Sequence, residues 1–245
     1  MKNKLSWDLT KNSSDLFIGS YRKRILHNLT YNQSVTFNQL WGKEGESNKF
    51  AYHLKKLEKE GLIRKINHYY CLTDEGKKTV AYHTNNKMAL IVVAIVITEK
   101  NKYLMLDRSK EPFYGHVCLH AGKLDFSKYP LEAAEELTKN DTGLTCKFKL
   151  KGLFSSKTFE NNTQAYNHQI LIVKATHPKG DLIKKIKKGT NKWMTLKEIK
   201  AAKILPNIPH LIDIAESNRF KWVEMDRFIE KDHFKKISIK RSQII

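Results

Sequence analysis

Residues 120–144 read HAGKLDFSKYPLEAAEELTKNDTGL. Pro130 suits the first turn of a helix, where its missing N–H has no partner to lose. Leu131, Ala134 and Leu137 then fall on one side, and Gly143 supplies a C-terminal stop, so a helix is expected over 130–140. The acids Glu132, Glu135, Glu136 and Asp141 lie within a few turns, with Glu132 and Glu136 sharing a face at i, i+4. Carboxylates at such spacing either hold a divalent cation or solvate an exposed face, and the second use is the commoner one.

Working outward, ALIVVAIVIT at 89–98 is a β-branched run suited to a strand buried on both faces, and 102–107 alternates as its hairpin partner. Further strands are expected at 147–154 and 169–175, separated by a loop over 158–168. A final helix is expected at 195–203, capped by Thr195 after Trp193. From Ile208 the pattern is helical to about Ser217 and then mixed, with the basic end HFKKISIKR.

The first third has another rhythm. Ile25, Leu26 and Leu29 mark one helix face, broken by Asn32, Gln33 and Ser34, and a short helix capped by Thr36 follows to Trp41. A third helix starts after Gly45, with Ser47 or Glu46 as cap, and Gly61 ends it. Phe50, Leu54 and Leu57 build its buried stripe, while Asn48, Lys49, Tyr52, Lys55, Lys56 and Lys59 face away. Residues 62–65 and 69–73 form a small hairpin around Asn67 and His68, after which DEGKKTVAYH resumes as a helix.

The chain has 245 residues, 40% apolar and 29% charged, enough for one sizeable core or two smaller ones and too apolar for a disordered tail. Forty-five Lys and Arg against 25 Asp and Glu give a formal charge of +20, which favours a polyanionic partner or an anionic ligand. Cys71, Cys118 and Cys146 show neither CxxC spacing nor company from clustered histidines, which argues against a disulfide framework and a structural zinc site. The first residues, MKNKLSWDLTKNSS, lack the apolar core of a secretory signal, and the run 88–97 is far too short to cross a bilayer. The expectation is a soluble, cytoplasmic protein without a membrane partner. Its expected parts are a segment 1–18, a domain 19–85, a second domain 86–215 and a basic extension 216–245.

Residues 50–76 resemble the winged helix-turn-helix family: His53-Leu54, Leu57-x-x-x-Gly61-Leu62, a basic wing and Leu72-Thr73-x-x-Gly76 occur in that family's order. The resemblance implies a reader of double-stranded DNA. Ser47, Asn48, Lys49 and Tyr52 would meet base edges or adjacent phosphates, and Lys55, Lys56, Arg64, Lys65 and His68 would sit on backbone phosphates and the wing. The plainer readings are lysines that merely solvate a helix and a domain that binds protein.

Residues 88–214 are similar to the Nudix family. The opening stretch aligns without gaps to the Nudix box GX5EX7REUXEEXGU, with Gly122 first, Gly143 last and Ala133 in its usual place, and KWMTLKEIKAAKILPNIPHLI resembles the tryptophan-led closing helix. The implied fold class is α/β (α+β): an N-terminal winged helix-turn-helix followed by a Nudix-like α/β/α sandwich with a mixed sheet. Nudix hydrolases hold magnesium on the box glutamates. Here Lys128 replaces the first of them, Glu136 the arginine, Leu137 the next glutamate, and Asn140 and Asp141 the final pair. That implies a pseudoenzyme without a cofactor; Glu136 and Asp141 are the remaining weak catalytic candidates, and a weak magnesium site stays open. The pocket would still take a nucleotide-type ligand on Gly122, Lys123 and Lys128, with Tyr166 and His168 from the loop 158–168. Lys128 either neutralises phosphate charge in place of metal or is a solvated loop residue.

The functional expectation is a DNA-binding transcriptional regulator, a homodimer because such regulators read paired half-sites, whose degenerate Nudix-like domain senses a nucleotide-type effector such as ADP-ribose. In bacterial regulators of this build the winged helix follows the Nudix-like domain; here it precedes it. Two alternatives stand beside it: a divergent hydrolase of nucleotide pyrophosphates or capped nucleic acid, and a protein-interaction scaffold.

Overall fold

The computed structural model describes residues 21–80, 88–110, 113–230 and 233–245, and the chain divides into two compact units at Met88/Ala89. The expected segment 1–18 lies outside the described residues.

In the first unit, helix α1 (Tyr21–Tyr31) buries Ile25, Leu26 and Leu29. A two-residue strand β1 (Val35–Thr36) leads into α2 (Phe37–Trp41), which Thr36 caps through a reciprocal hydrogen-bond pair with Gln39. Helix α3 (Ser47–Lys59) has Glu46 at its cap position, with no side-chain hydrogen bond there, and buries Phe50, Leu54 and Leu57. Strands β2 (Ile63–Ile66) and β3 (Tyr69–Leu72) form a hairpin, β1 pairs with β3, and α4 (Asp74–Val80) follows. One core joins the stripes of α1 and α3 to Leu40, Ile63 and Tyr70. Gly76 explains the end of the Leu-Thr-x-x-Gly pattern. Its N–H donates to Thr73 Oγ1 at 3.0 Å, and a Cβ there would lie 1.9 Å from the Leu62 carbonyl oxygen, so only glycine fits.

The second unit is a mixed sheet between helices. Strand β4 (Leu90–Glu99) turns through Lys100 and Asn101, both at positive φ, into β5 (Lys102–Arg108), as such two-residue hairpins require. Short strands β6 (Val117–Cys118) and β7 (His120–Lys123) precede α5 (Pro130–Thr142), which runs two residues further than expected and ends at Gly143 with φ 76°. Strands β8 (Thr145–Glu160) and β9 (Thr163–Lys179) follow, then β10 (Lys185–Ile186), β11 (Gly189–Thr195), α6 (Leu196–Ala201) and α7 (Ile208–Glu216). Strands β12 (Lys221–Glu230) and β13 (His233–Ile244) close the unit. The strand order is β10-β11-β5-β4-β9-β8-β12-β13, with β6 beside β5 and β7 beside β4; the pairs β4/β9 and β8/β12 are parallel. Helix α5 covers one face over Val93, Ile95, Ile97, Val173 and Ala175. Helices α6 and α7 cover the other over Ala94, Val96, Phe154 and Ile172.

Three expectations are corrected here. Residues 158–168 are no loop: β8 and β9 continue to a tight turn at Asn161–Asn162, where both residues adopt positive φ, 49° and 62°. The residues after Ser217 are not a separate extension but two strands of the same sheet, with Val223, Met225 and Ile229 buried on alternate positions. The helix expected at 195–203 is shorter, α6 running only from Leu196 to Ala201, whereas the helical stretch expected from Ile208 to about Ser217 is α7.

Candidate functional site

The box residues divide between two environments. Gly122 on β7 pairs with Val93 on β4, and its Cα faces the Leu137 side chain on α5. Around them lies an open pocket of about 180 Å³ lined by Lys123, Asp125, Lys128, Ala133, Glu136 and Asn140. Lys128 and Glu136 form an ion pair on its rim, and this contact holds the lysine above its ordinary pKa. Glu132 is engaged elsewhere, accepting the Tyr129 N–H at 2.9 Å as part of the α5 cap.

Asp141 does not line this pocket. It is 7% exposed, and both of its carboxylate oxygens accept from Lys188 Nζ, at 2.9 and 2.8 Å. Burial alone would raise its pKa. The His120 imidazole, with Nδ1 3.7 Å away, and the Lys188 ammonium outweigh burial and hold the carboxyl below its ordinary value. Asn191 Nδ2 donates to the Asp141 and Ile183 carbonyls, both at 2.7 Å, which ties β11 to the end of α5. Lys188, His120 and Asn191 gave no sign in the sequence: Lys188 is one of five lysines between 184 and 192, and only the fold selects it.

The expected ligand residues are not brought together. Gly122 and Lys128 belong to the α5 face, with Val93. His168 is opposite Ser156 and Tyr166 opposite Thr158 in the β8/β9 register, in the same alternation as Phe154 and Ile170, so both belong to the α7 face. Lys123 pairs with Val92 and alternates with the α7 face as well, although it also borders the pocket.

In the first unit, Asn48, Lys49, Tyr52, Lys55 and Lys56 are exposed along α3, Ser47 is half-buried, and Tyr52 is 62% exposed. Lys49 is paired with Glu46 at 2.7 Å. On the hairpin, Arg64 Nε donates to Cys71 Sγ at 3.4 Å, Lys65 Nζ lies 5.6 Å from the Tyr70 ring centre, and His68 is exposed at the turn.

The fold of the second unit is similar to that of the mutator MutT protein from Bacillus halodurans, at 19% identity and a TM-score of 0.53, over 62% of this chain and 97% of that one. This unit has a Nudix-like fold. The Nudix domain of Shewanella oneidensis NrtR in complex with ADP ribose also aligns, at 16% identity and a TM-score of 0.47, over 59% of this chain and 97% of that one. A Nudix hydrolase from Clostridium perfringens aligns at 18% identity and a TM-score of 0.42, over 53% of this chain and 96% of that one. No protein-family model and no curated protein matches the sequence.

The Nudix-like unit does not present the donor set that a magnesium ion requires. Hard divalent cations need several convergent carboxylate or carbonyl oxygens. The pocket lining includes Lys128, Leu137 and Asn140, none of which is a carboxylate. Glu136 on the pocket is held by Lys128, and Asp141, outside it, is held by Lys188. Among the described residues no group of three or more His, Cys, Asp or Glu side chains converges on one point. Among the same residues, no helix is long and apolar enough to cross a membrane.

Proposed function

We propose that this chain is a DNA-binding transcriptional regulator whose Nudix-like unit holds a nucleotide-type effector without hydrolysing it. The observation that carries the reading is α3: one helix with a fully buried stripe of Phe50, Leu54 and Leu57, an exposed Asn48, Lys49, Tyr52, Lys55 and Lys56, and a basic hairpin next in the chain. A helix anchored on one side and polar and cationic on the other can enter a major groove, with Asn48 and Tyr52 at base edges and lysines at phosphates. Arg64, Lys65 and His68 are the hairpin's contribution to the same polyanion. The chain acts as a homodimer on this reading, because two half-sites double the sequence read.

For the effector, Lys128 sits on the rim of the pocket and can trade the Glu136 carboxylate for a phosphate oxygen. Hydrolysis is not expected, because neither acid at box positions 136 and 141 is free to bind a cation that activates water.

Fluorescence anisotropy on genomic fragments tests the reading. Lys49→Ala and Tyr52→Ala should weaken sequence-specific binding. Lys65→Ala should weaken all duplexes alike and reduce the salt slope by about one. With a net charge of +20, retention of any polyanion is not support; absence of a sequence ratio at low salt ends the DNA reading. Addition of magnesium or manganese should leave ADP-ribose intact, and turnover that disappears in Glu136→Ala would place the protein among the hydrolases.

A further inference from the structure

On the sheet face opposite α5, beyond the core around Phe154 and Ile170, the alternation of three neighbouring strands turns from apolar to polar. Thr158 on β8 pairs with Arg227 on β12, and Ser156 on β8 pairs with His168 on β9. Arg227 is 8% exposed, Thr158 2% and Ser156 1%. The guanidinium spends Nε and Nη2 on a single acceptor, Thr158 Oγ1, at 3.2 and 2.9 Å. No carboxylate among the described residues reaches it. Ser156 Oγ and His168 Nδ1 are buried and have no hydrogen-bond partner among the described residues.

This is an unusual set of groups to bury. A cation taken out of water is costly unless an anion meets it, and buried hydroxyl and imidazole groups normally find partners. Burial lowers the Arg227 pKa to about 10, so the side chain is still charged at neutral pH. A trapped water would serve Ser156 or His168 but would leave the guanidinium charge uncompensated. Phe234, with its ring centre 5.9 Å from Arg227 Cζ and stacked on Phe113 at 5.2 Å, walls one side. Tyr166, 55% exposed and 6.0 Å from the His168 ring, marks where the cluster meets solvent.

We propose that Arg227, Ser156 and His168 form an oxyanion site for a phosphate group, on the sheet face opposite the box helix. Donors from three strands match the three terminal oxygens of a phosphate better than the two of a carboxylate, and the guanidinium fork is suited to bidentate phosphate contact. The phosphate is free or the head of an aromatic monoester, for which the Phe113, Phe234 and Tyr166 rings offer stacking surface. This site is separate from the pocket beside Lys128. It does not depend on the regulator reading, and its test contains no DNA.

The full chain is titrated by calorimetry with inorganic phosphate, phenyl phosphate and acetate at constant ionic strength. Wild type and Lys236→Ala, which removes one exposed charge from the same hairpin, should bind phosphate alike. Arg227→Met should bind roughly tenfold more weakly or not at all. Replacement of a buried cation by an apolar side chain of similar length is commonly tolerated, so this variant should fold. Ser156→Ala removes a hydroxyl without a partner and provides a second variant with an intact fold; it should lose affinity severalfold. Tighter binding of phenyl phosphate than of phosphate identifies the ester, and equal binding identifies the free ion. Acetate binding as tightly as phosphate, equal phosphate binding by Arg227→Met and wild type, or no phosphate binding by wild type would each overturn the assignment.

Discussion

At the scale of single residues, Asp141 and Glu136 are each committed to a lysine. Asp141 keeps its charge through His120 and Lys188, and the Lys188 side chain is itself 40% exposed. Lys188→Met should therefore cost about 1–2 kcal/mol in urea unfolding, below the roughly 3–5 of a fully buried pair, because solvent screens the lysine end. Two histidines set the response to acid. Burial and the Arg227 charge hold His168 below its ordinary 6.5, and burial does the same to His210, helped by Lys221 and opposed by Asp213. The unfolded chain then takes up protons first, so their contribution is whole above pH of about 6.5 and is lost as the pH falls through the folded values. Asp141, held below its ordinary 3.8, keeps its contribution through this window. Stability should decline as the pH falls below about 6.5, by at most about 1.4 kcal/mol per unit for each histidine, and His168→Gln should flatten the decline in thermal melts.

At the scale of elements, Gly76→Ala is the sharpest probe of the first unit. A Cβ 1.9 Å from a backbone oxygen has nowhere to go, so the loss should be about 3 kcal/mol, the upper end of overpacking, seen as a lower denaturant midpoint. This unit was legible in the sequence because each of its elements announces itself locally. The Thr36 cap, the Phe50, Leu54 and Leu57 stripe and the Gly61 stop all act within a turn or two. Helix α5 was legible for the same reason, from Pro130 to Gly143. The β8/β9 turn carries a local signal, since Asn161-Asn162 is a pair that tolerates positive φ at both central positions. Strand β12 also carried its alternation, in Val223, Met225, Arg227 and Ile229, but an arginine at a core position and a parallel partner far back in the chain hid it. The separation of Tyr166 and His168 from Lys128 was beyond sequence reading, because it depends on which face of a strand each residue takes. A shift of register by one residue would reverse that choice.

At the scale of the whole molecule, each unit has its own buried core, so a fragment beginning at Ala89 should unfold cooperatively by itself. If the Nudix-like unit is a sensor, a nucleotide that raises the Tm of that fragment should also change operator affinity of the full chain by about 5 to 150-fold, because only differential binding to two states shifts them. Tight binding with unchanged operator affinity would make the unit a docking or assembly module. The parallel seam of β8 with β12 also acts in time. Thr158 and Arg227 are 69 residues apart, and their pairing must wait for everything between them to be placed, whereas the first unit closes through near neighbours. A refolding chain should thus pass through an interval in which the helical unit stands complete and β8 still offers an open edge. During that interval crowding, rather than any ligand, decides whether the edge meets its own β12 or the same strand of another chain.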